Sequence, residues 1–238
     1  MSNINTLIEG SKELDIDLGQ AREDKFQVYK DLLQEWNEKI DITTIIDDVE
    51  VDQKHFLDSL TLVATGLFDG RKKIIDIGTG GGFPGLPLKI YNDELEVSLM
   101  DSLNKRINFL DHVIDRLGLD KIQAIHGRAE ELSRTEDYRE AYDICVSRAV
   151  ARLNTLVEYC LPFVKEGGYF VSMKGPDYDE ELAEAKNAIK LLGGQLKFDR
   201  QVTIPGTDIT HSIIVIEKVR KTPRKYPRGG GKPRKKPL

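Results

Sequence analysis

The run Ile74-Ile-Asp-Ile-Gly-Thr-Gly-Gly-Gly-Phe-Pro-Gly85 carries five glycines in the eight positions from Gly78. An apolar strand leads into the glycines and a helical stretch leads out. Glycine is needed where a backbone must turn sharply and approach a ligand with no Cβ in the way. Read from Gly80, the string GGGFPG satisfies G-x-G-x-x-G, the dinucleotide fingerprint. So dense a cluster satisfies many patterns, however, and the flanking charges discriminate better. Asp76 ends the strand just before the first glycine, where a carboxylate repels a pyrophosphate but suits a cationic ligand. Asp101 closes the next strand, where an acid can accept the hydroxyls of a ribose. A nucleoside bearing a positive charge fits both, and S-adenosylmethionine, with its sulfonium and amino group, is such a molecule. The competing readings are NAD, disfavoured by Asp76, and a glycine turn that merely packs a helix on a sheet.

The elements that must position this loop follow from periodicity. From Lys73 onward, short apolar runs alternate with amphipathic stretches: Ile74–Ile77 then Gly85–Tyr91, Glu96–Met100 then Leu103–Leu117, Ile122–Ile125, Tyr142–Val146 then Leu153–Leu161, Tyr169–Met173 then Tyr178–Leu192. Such alternation predicts βαβ units and a mostly parallel sheet. The runs Leu196–Ile204 and His211–Val219 are joined only by Pro205-Gly-Thr-Asp208, which predicts an antiparallel hairpin. The fold class expected is therefore α/β, a doubly wound, mostly parallel seven-stranded sheet ending in a hairpin. Before it, residues 1–70 read as a helical extension. Phe26, Tyr29, Leu32, Leu33, Trp36 and Ile40 mark one helix face, and Phe56, Leu57 and Leu60 point inward from a second helix.

Of 238 residues, 39% are hydrophobic and 32% charged, enough to bury a core and remain soluble. No apolar run approaches the ~20 residues of a membrane span, and the acidic N-terminus does not resemble a signal peptide. Two cysteines and four histidines provide neither a disulfide framework nor a zinc site, and Cys145, inside Ile144-Cys-Val146, reads as a buried inert thiol. A cytoplasmic protein without a metal is expected. Charge is unevenly spread: Lys218–Leu238 holds ten Lys/Arg and no acid, leaving 25 bases against 40 acids elsewhere. A basic end of this kind is presented to something anionic. Residues 221–238, rich in proline, glycine and charge, are expected to be flexible, after a methyl-donor-binding domain over 71–220.

Beyond the loop, the order DIGTGGGFPGLPL, Asp101, His126-Gly-Arg-Ala-Glu-Glu131, Val146-Ser-Arg-Ala-Val150 and Met173-Lys-Gly175 resembles the RsmG family. Also called GidB, or glucose-inhibited division protein B, these are the bacterial 16S rRNA guanine-N7 methyltransferases. The likeness spans nearly the whole chain, including Trp36-Asn37, Lys54-His-Phe-Leu-Asp-Ser-Leu60 and the basic tail. It implies a class I (Rossmann-like) methyltransferase that moves a methyl group from S-adenosylmethionine to N7 of a guanine in the decoding-region loop of 16S rRNA. The alternatives are another RNA base or a small molecule as acceptor, or a non-catalytic RNA-binding assembly factor.

The resemblance also implies roles. Gly78, Gly80 and Phe83 would line the cofactor pocket with Asp101 on the ribose, Ala129 and Glu130 beside the adenine, and Arg148 on cofactor or substrate. Arg148 and Lys174 are the candidates for positioning the base. No residue is needed as acid or base, because guanine N7 has a free lone pair and no proton. On charge rather than resemblance, Arg152, Lys174, Arg224, Lys225 and Arg228 would contact RNA. The expected partner is 16S rRNA or the small ribosomal subunit, with neither DNA nor membrane, and the chain is expected to be a monomer.

Overall fold

The computed structural model describes residues 3–148 and 151–238. Ala149 and Val150 of the Ser-Arg-Ala-Val stretch lie outside the described residues. Seven strands form one sheet: β1 (Lys73–Ile77), β2 (Glu96–Asp101), β3 (Ile122–His126), β4 (Tyr142–Arg148), β5 (Val164–Lys174), β6 (Gly194–Thr203) and β7 (Thr210–Lys218). Their order is β3-β2-β1-β4-β5-β7-β6. The first five pair in parallel, and β7 runs antiparallel to both β5 and β6. This is the predicted doubly wound sheet with its terminal hairpin. Sheet order reverses between β1 and β4, so their carboxyl ends frame the crevice where such folds bind ligands.

The central strands are apolar almost throughout because both faces are covered. Side chains alternate along β1: Ile74 packs into one core and Ile75 and Ile77 into the other. The first core contains α1 (Asn5–Glu13), α2 (Gly19–Asn37), α5 (Gly85–Tyr91) and α6 (Asn104–Leu117). The second contains α8 (Leu153–Cys160) and α9 (Asp179–Leu191). The second predicted N-terminal helix is a composite: α3 (Asp48–Val51), a π-helical turn (Asp52–Leu57) and α4 (Asp58–Leu60) run on as one segment. Phe56, Leu57 and Leu60 are all fully buried. A buried ion pair, Lys30 to Asp52 at 2.8 Å, ties this segment to α2, and Asp52 also accepts from the Leu7 amide. No helix among the described residues is long and apolar enough to cross a membrane.

The expectation of a flexible tail does not hold. After β7 the chain folds back along α8 and ends in a short helix, α10 (Lys232–Lys235). Thr222, Tyr226 and Pro233 are buried. Arg139 donates to the carbonyls of Thr222 and Tyr226 at 2.8 and 3.0 Å, and Arg134 to that of Pro227. Composition misled because the ordering entropy is offset by partners on the body of the molecule, which the tail's own sequence does not reveal. Lys218, counted with the basic end, is fully buried, its ammonium on the carbonyls of Leu161 and Val164 at 2.7 and 2.9 Å. Burial pushes its pKa down to about 8 despite nearby Glu140.

Candidate active site

The glycine loop is held from three sides. Its Gly78 and Thr79 amides donate to the Met100 carbonyl at 2.9 and 3.0 Å. The Gly80 amide donates to Asp101 Oδ2 at 3.0 Å. From α2, the Tyr29 hydroxyl donates to the Gly81 carbonyl. Asp101 is the junction of the site: its Oδ1 accepts from Leu103 N at 3.0 Å and its carbonyl from Gly127 N at 3.1 Å, while Arg106 lies 3.2 Å from Oδ2. One residue thus sets three turns in a common frame, its carboxylate holding the loop after β1 and the turn after β2 and its backbone carbonyl the turn after β3.

These ends enclose a cavity of about 750 Å³, within the usual ligand range of roughly 300–1,000 Å³. Gly78, Gly80, Phe83, Asp101, Ala129, Glu130 and Arg148 all line it, so the residues expected on the cofactor do converge. Gly80 has φ +61°, and no heavy atom lies within 4 Å of where a Cβ would stand, so the space beside it belongs to the cavity. Glu130 sits in the first turn of α7 (Ala129–Leu132), which acids favour in any case, and it also faces the cavity.

Asp76 departs from the charge argument. It is fully buried and is not among the cavity walls; its Oδ2 accepts from Thr79 Oγ1 and Gly85 N, both at 2.8 Å, and its Oδ1 has no hydrogen-bond partner. Burial raises its pKa to about 7, against the opposing pull of those two donors. Its role here is to clasp the loop onto α5. The fit to a charged nucleoside rests instead on the open glycine backbone and on Asp101.

Several walls were not legible in sequence. The helical extension contributes Ile42, Thr43 and His55. His55 stacks on Phe83 at 4.4 Å and 18°, with Tyr29 on the same ring at 5.5 Å and 21°. Phe83 therefore both packs and lines. Arg106, Arg128 and Tyr159 line the cavity too, joined by Gly231, Arg234 and Lys235 of the tail.

Arg148, at the end of β4, has the anionic and carbonyl partners that an arginine there requires. Its Nη1 lies 2.7 Å from Asp58 Oδ2 and 3.0 Å from the Lys54 carbonyl, and its guanidinium stands 5.1 Å from the Phe83 ring centroid. The other oxygen of Asp58 lies 2.8 Å from His211 Nδ1. Burial alone would raise Asp58, but His211 and Arg148 reverse this and hold its carboxyl below the ordinary range. The signal in the sequence was His55 and Asp58, two polar residues three apart on the inward face of an apolar helix. The partners that give them meaning lie far along the chain.

A second cleft, of about 810 Å³, adjoins the first and shares His55, Arg148 and Ala151 with it; Met173, Lys174 and Ile209 are among its other walls. Lys174 opens on this cleft and not on the first cavity. It is paired with Glu181 at 2.8 Å and donates to the Ala151 carbonyl. Arg152 is exposed and paired with Glu184 at 2.9 Å. Arg224 and Lys225 are exposed. Arg228 is placed differently from a phosphate contact: its Nε and Nη2 lie 2.9 and 2.6 Å from the two oxygens of Glu158, a fully buried carboxylate. Cys145 is buried and its thiol is pushed up by burial. No cluster of His, Cys, Asp or Glu among the described residues is arranged to hold a metal ion.

Sheet order, glycine loop and strand-end acid together define a class I S-adenosylmethionine-dependent methyltransferase. Solved structures agree on the fold. M. jannaschii TYW2 in complex with AdoMet superposes with a TM-score of 0.52 at 14% identity, over 68% of this chain and 77% of that one. Residues 22–207 match the family model described as rRNA small subunit methyltransferase G. Proteins named ribosomal RNA small subunit methyltransferase G are 50% identical in Alkaliphilus metalliredigens, over 98% of this chain and 97% of the relative, and 51% identical in Lachnoclostridium phytofermentans, over 100% and 98%. The chain belongs to the rRNA small subunit methyltransferase G family.

Proposed function

We propose that the chain methylates N7 of one guanine in the decoding-region loop of 16S rRNA, in the cytoplasm and as a monomer, on the rRNA itself or on the small subunit. The observation that carries this reading is the state of the second cleft. Its two carboxylates are committed, Asp58 to Arg148 and His211 and Glu181 to Lys174. His55 is hydrogen-bonded at each nitrogen, by Arg148 and Thr43, and His211 bonds Thr61 through Nε2 with its Nδ1 2.8 Å from Asp58. Burial lowers the His55 pKa to about 3, so it is a poor base at neutral pH. A cleft so lined favours an acceptor with no proton to lose, and guanine N7 is one.

When bound, S-adenosylmethionine supplies a methyl group made electrophilic by the sulfonium. Gly78, Gly80, Asp101, Ala129 and Glu130 would hold it. The chain's own contribution is orientation and exclusion of water. Arg148, on the border of the two cavities, is placed to donate to the guanine O6 edge, with Lys174 towards flanking phosphate. A paired guanine hides N7 in the deep groove of A-form RNA, so the base must come from a loop or be splayed out. Arg224 and Lys225 then serve as phosphate contacts, with Arg152 exchanging Glu184 for phosphate.

Mapping of methylated guanines by mass spectrometry in small-subunit rRNA from cells with and without the gene tests the reading. One 7-methylguanine should disappear with the gene. An unchanged map removes the target assignment.

A further inference from the structure

One wall of the cofactor cavity comes from the far end of the chain, and the body of the protein is built to hold it there. Buried Glu158 accepts from the Arg228 amide at 2.7 Å as well as from its guanidinium. Arg134 and Arg139 take the carbonyls just before, and Thr155 Oγ1 donates to that of Pro233 at 3.3 Å. Anchors thus lie before the Gly229–Gly231 turn and within α10 beyond it. A tail that only conferred solubility would require no buried carboxylate, since an unpaired one is costly. The result is that Gly231, Arg234 and Lys235 line the same cavity as Ala129, Glu130 and Tyr159. Arg234 and Lys235 are exposed and form no ion pair among the described residues. α8, which carries Tyr159, packs against both α7 and α10, so the tail stands on the Ala129-Glu130 side of the cavity.

We propose that Arg228–Lys236 is part of the cofactor site, with α10 closing the cavity beside Ala129 and Glu130 and retaining the adenosine end of the methyl donor. This inference rests on the cofactor alone and does not depend on which base is methylated. Because S-adenosylmethionine and S-adenosylhomocysteine share the adenosine, the segment should hold both about equally. A role for Arg234 and Lys235 through charge alone would instead separate them, since two cations disfavour the sulfonium form.

The test is calorimetric titration of both ligands into three proteins: the full chain, a chain ending at Gly229 that keeps the Arg228–Glu158 anchor, and full-length R234A/K235A, which keeps the packing of Pro233. Kd for both ligands should rise about tenfold in the shortened chain and about threefold in the double variant. In the unaltered protein, S-adenosylhomocysteine should slow tryptic cleavage after Arg234 and Lys235, a readout independent of whether any variant folds. Unchanged affinities in both variants, tighter binding of S-adenosylmethionine alone, or tryptic cleavage indifferent to the ligand would each overturn the proposal.

Discussion

Asp58 holds Arg148 at 2.7 Å across ninety residues of sequence, joining the helical extension to the end of β4 at the border of the two cavities. The contact brings the extension to the border of the two cavities, where the guanidinium is aimed by a carboxylate from outside the sheet.

Asp58→Ala should therefore leave Arg148 and His211 without their shared partner. Removing one member of a buried pair costs about 3–5 kcal/mol, readable by urea denaturation. Methylation should fall on the order of a hundredfold through misplacement of the base, while the Kd for S-adenosylhomocysteine stays within about twofold. Since the folded pKa of Asp58 is depressed, its stabilisation is present above the unfolded carboxylate pKa and disappears as pH falls through the lowered folded value. The variant should lose that part of its acid sensitivity. Equal losses of turnover and cofactor affinity would move Arg148 to the cofactor.

Asp76 behaves oppositely. Its folded pKa, about 7, exceeds the unfolded value of about 3.9, so the native state binds the extra proton. Its contribution to stability should decline as pH rises from about 4 to about 7. Asp76→Asn keeps an acceptor for Thr79 and Gly85 and removes the titration. Thermal melts across that interval should show a flatter pH dependence than the parent, and an unaltered slope would mean that Asp76 ionises normally.

Two neighbouring glycines should separate binding from folding. Gly80→Ala meets no atom within 4 Å but requires φ +61°, so it should cost about 1 kcal/mol of stability and weaken cofactor binding more than about tenfold by filling the cavity. At Gly82 a Cβ would stand 2.6 Å from Leu86 Cδ1 and 2.7 Å from Tyr29 Oη at φ +104°. Gly82→Ala should mainly destabilise, by about 3 kcal/mol or more, measured by the shift in denaturation midpoint.

Arg228 distinguishes anchor from phosphate contact. Arg228→Ala leaves Glu158 buried without its cation and should lower stability by about 3 kcal/mol. The slope of log affinity for RNA against log salt should be unchanged, whereas Lys225→Ala should reduce it by about one. A reduced slope for Arg228→Ala would restore it as a phosphate contact.

The strand–helix alternation, the terminal hairpin and the glycine loop with Asp101 were legible in the sequence because periodicity and glycine placement are local properties, set by steric limits on a few adjacent residues. What only the tertiary structure decided was who the partners are. The helix of Phe56, Leu57 and Leu60 read as a packing helix until the fold brought Phe83, Arg148 and His211 against its His55 and Asp58. Asp76 read as a ligand group until its burial showed it clasping the loop. The basic tail read as disordered until Glu158, Arg134 and Arg139 supplied anchors. Buried ion pairs join residues tens of positions apart, and their energy depends on distance and desolvation. Neither quantity exists before the chain has folded.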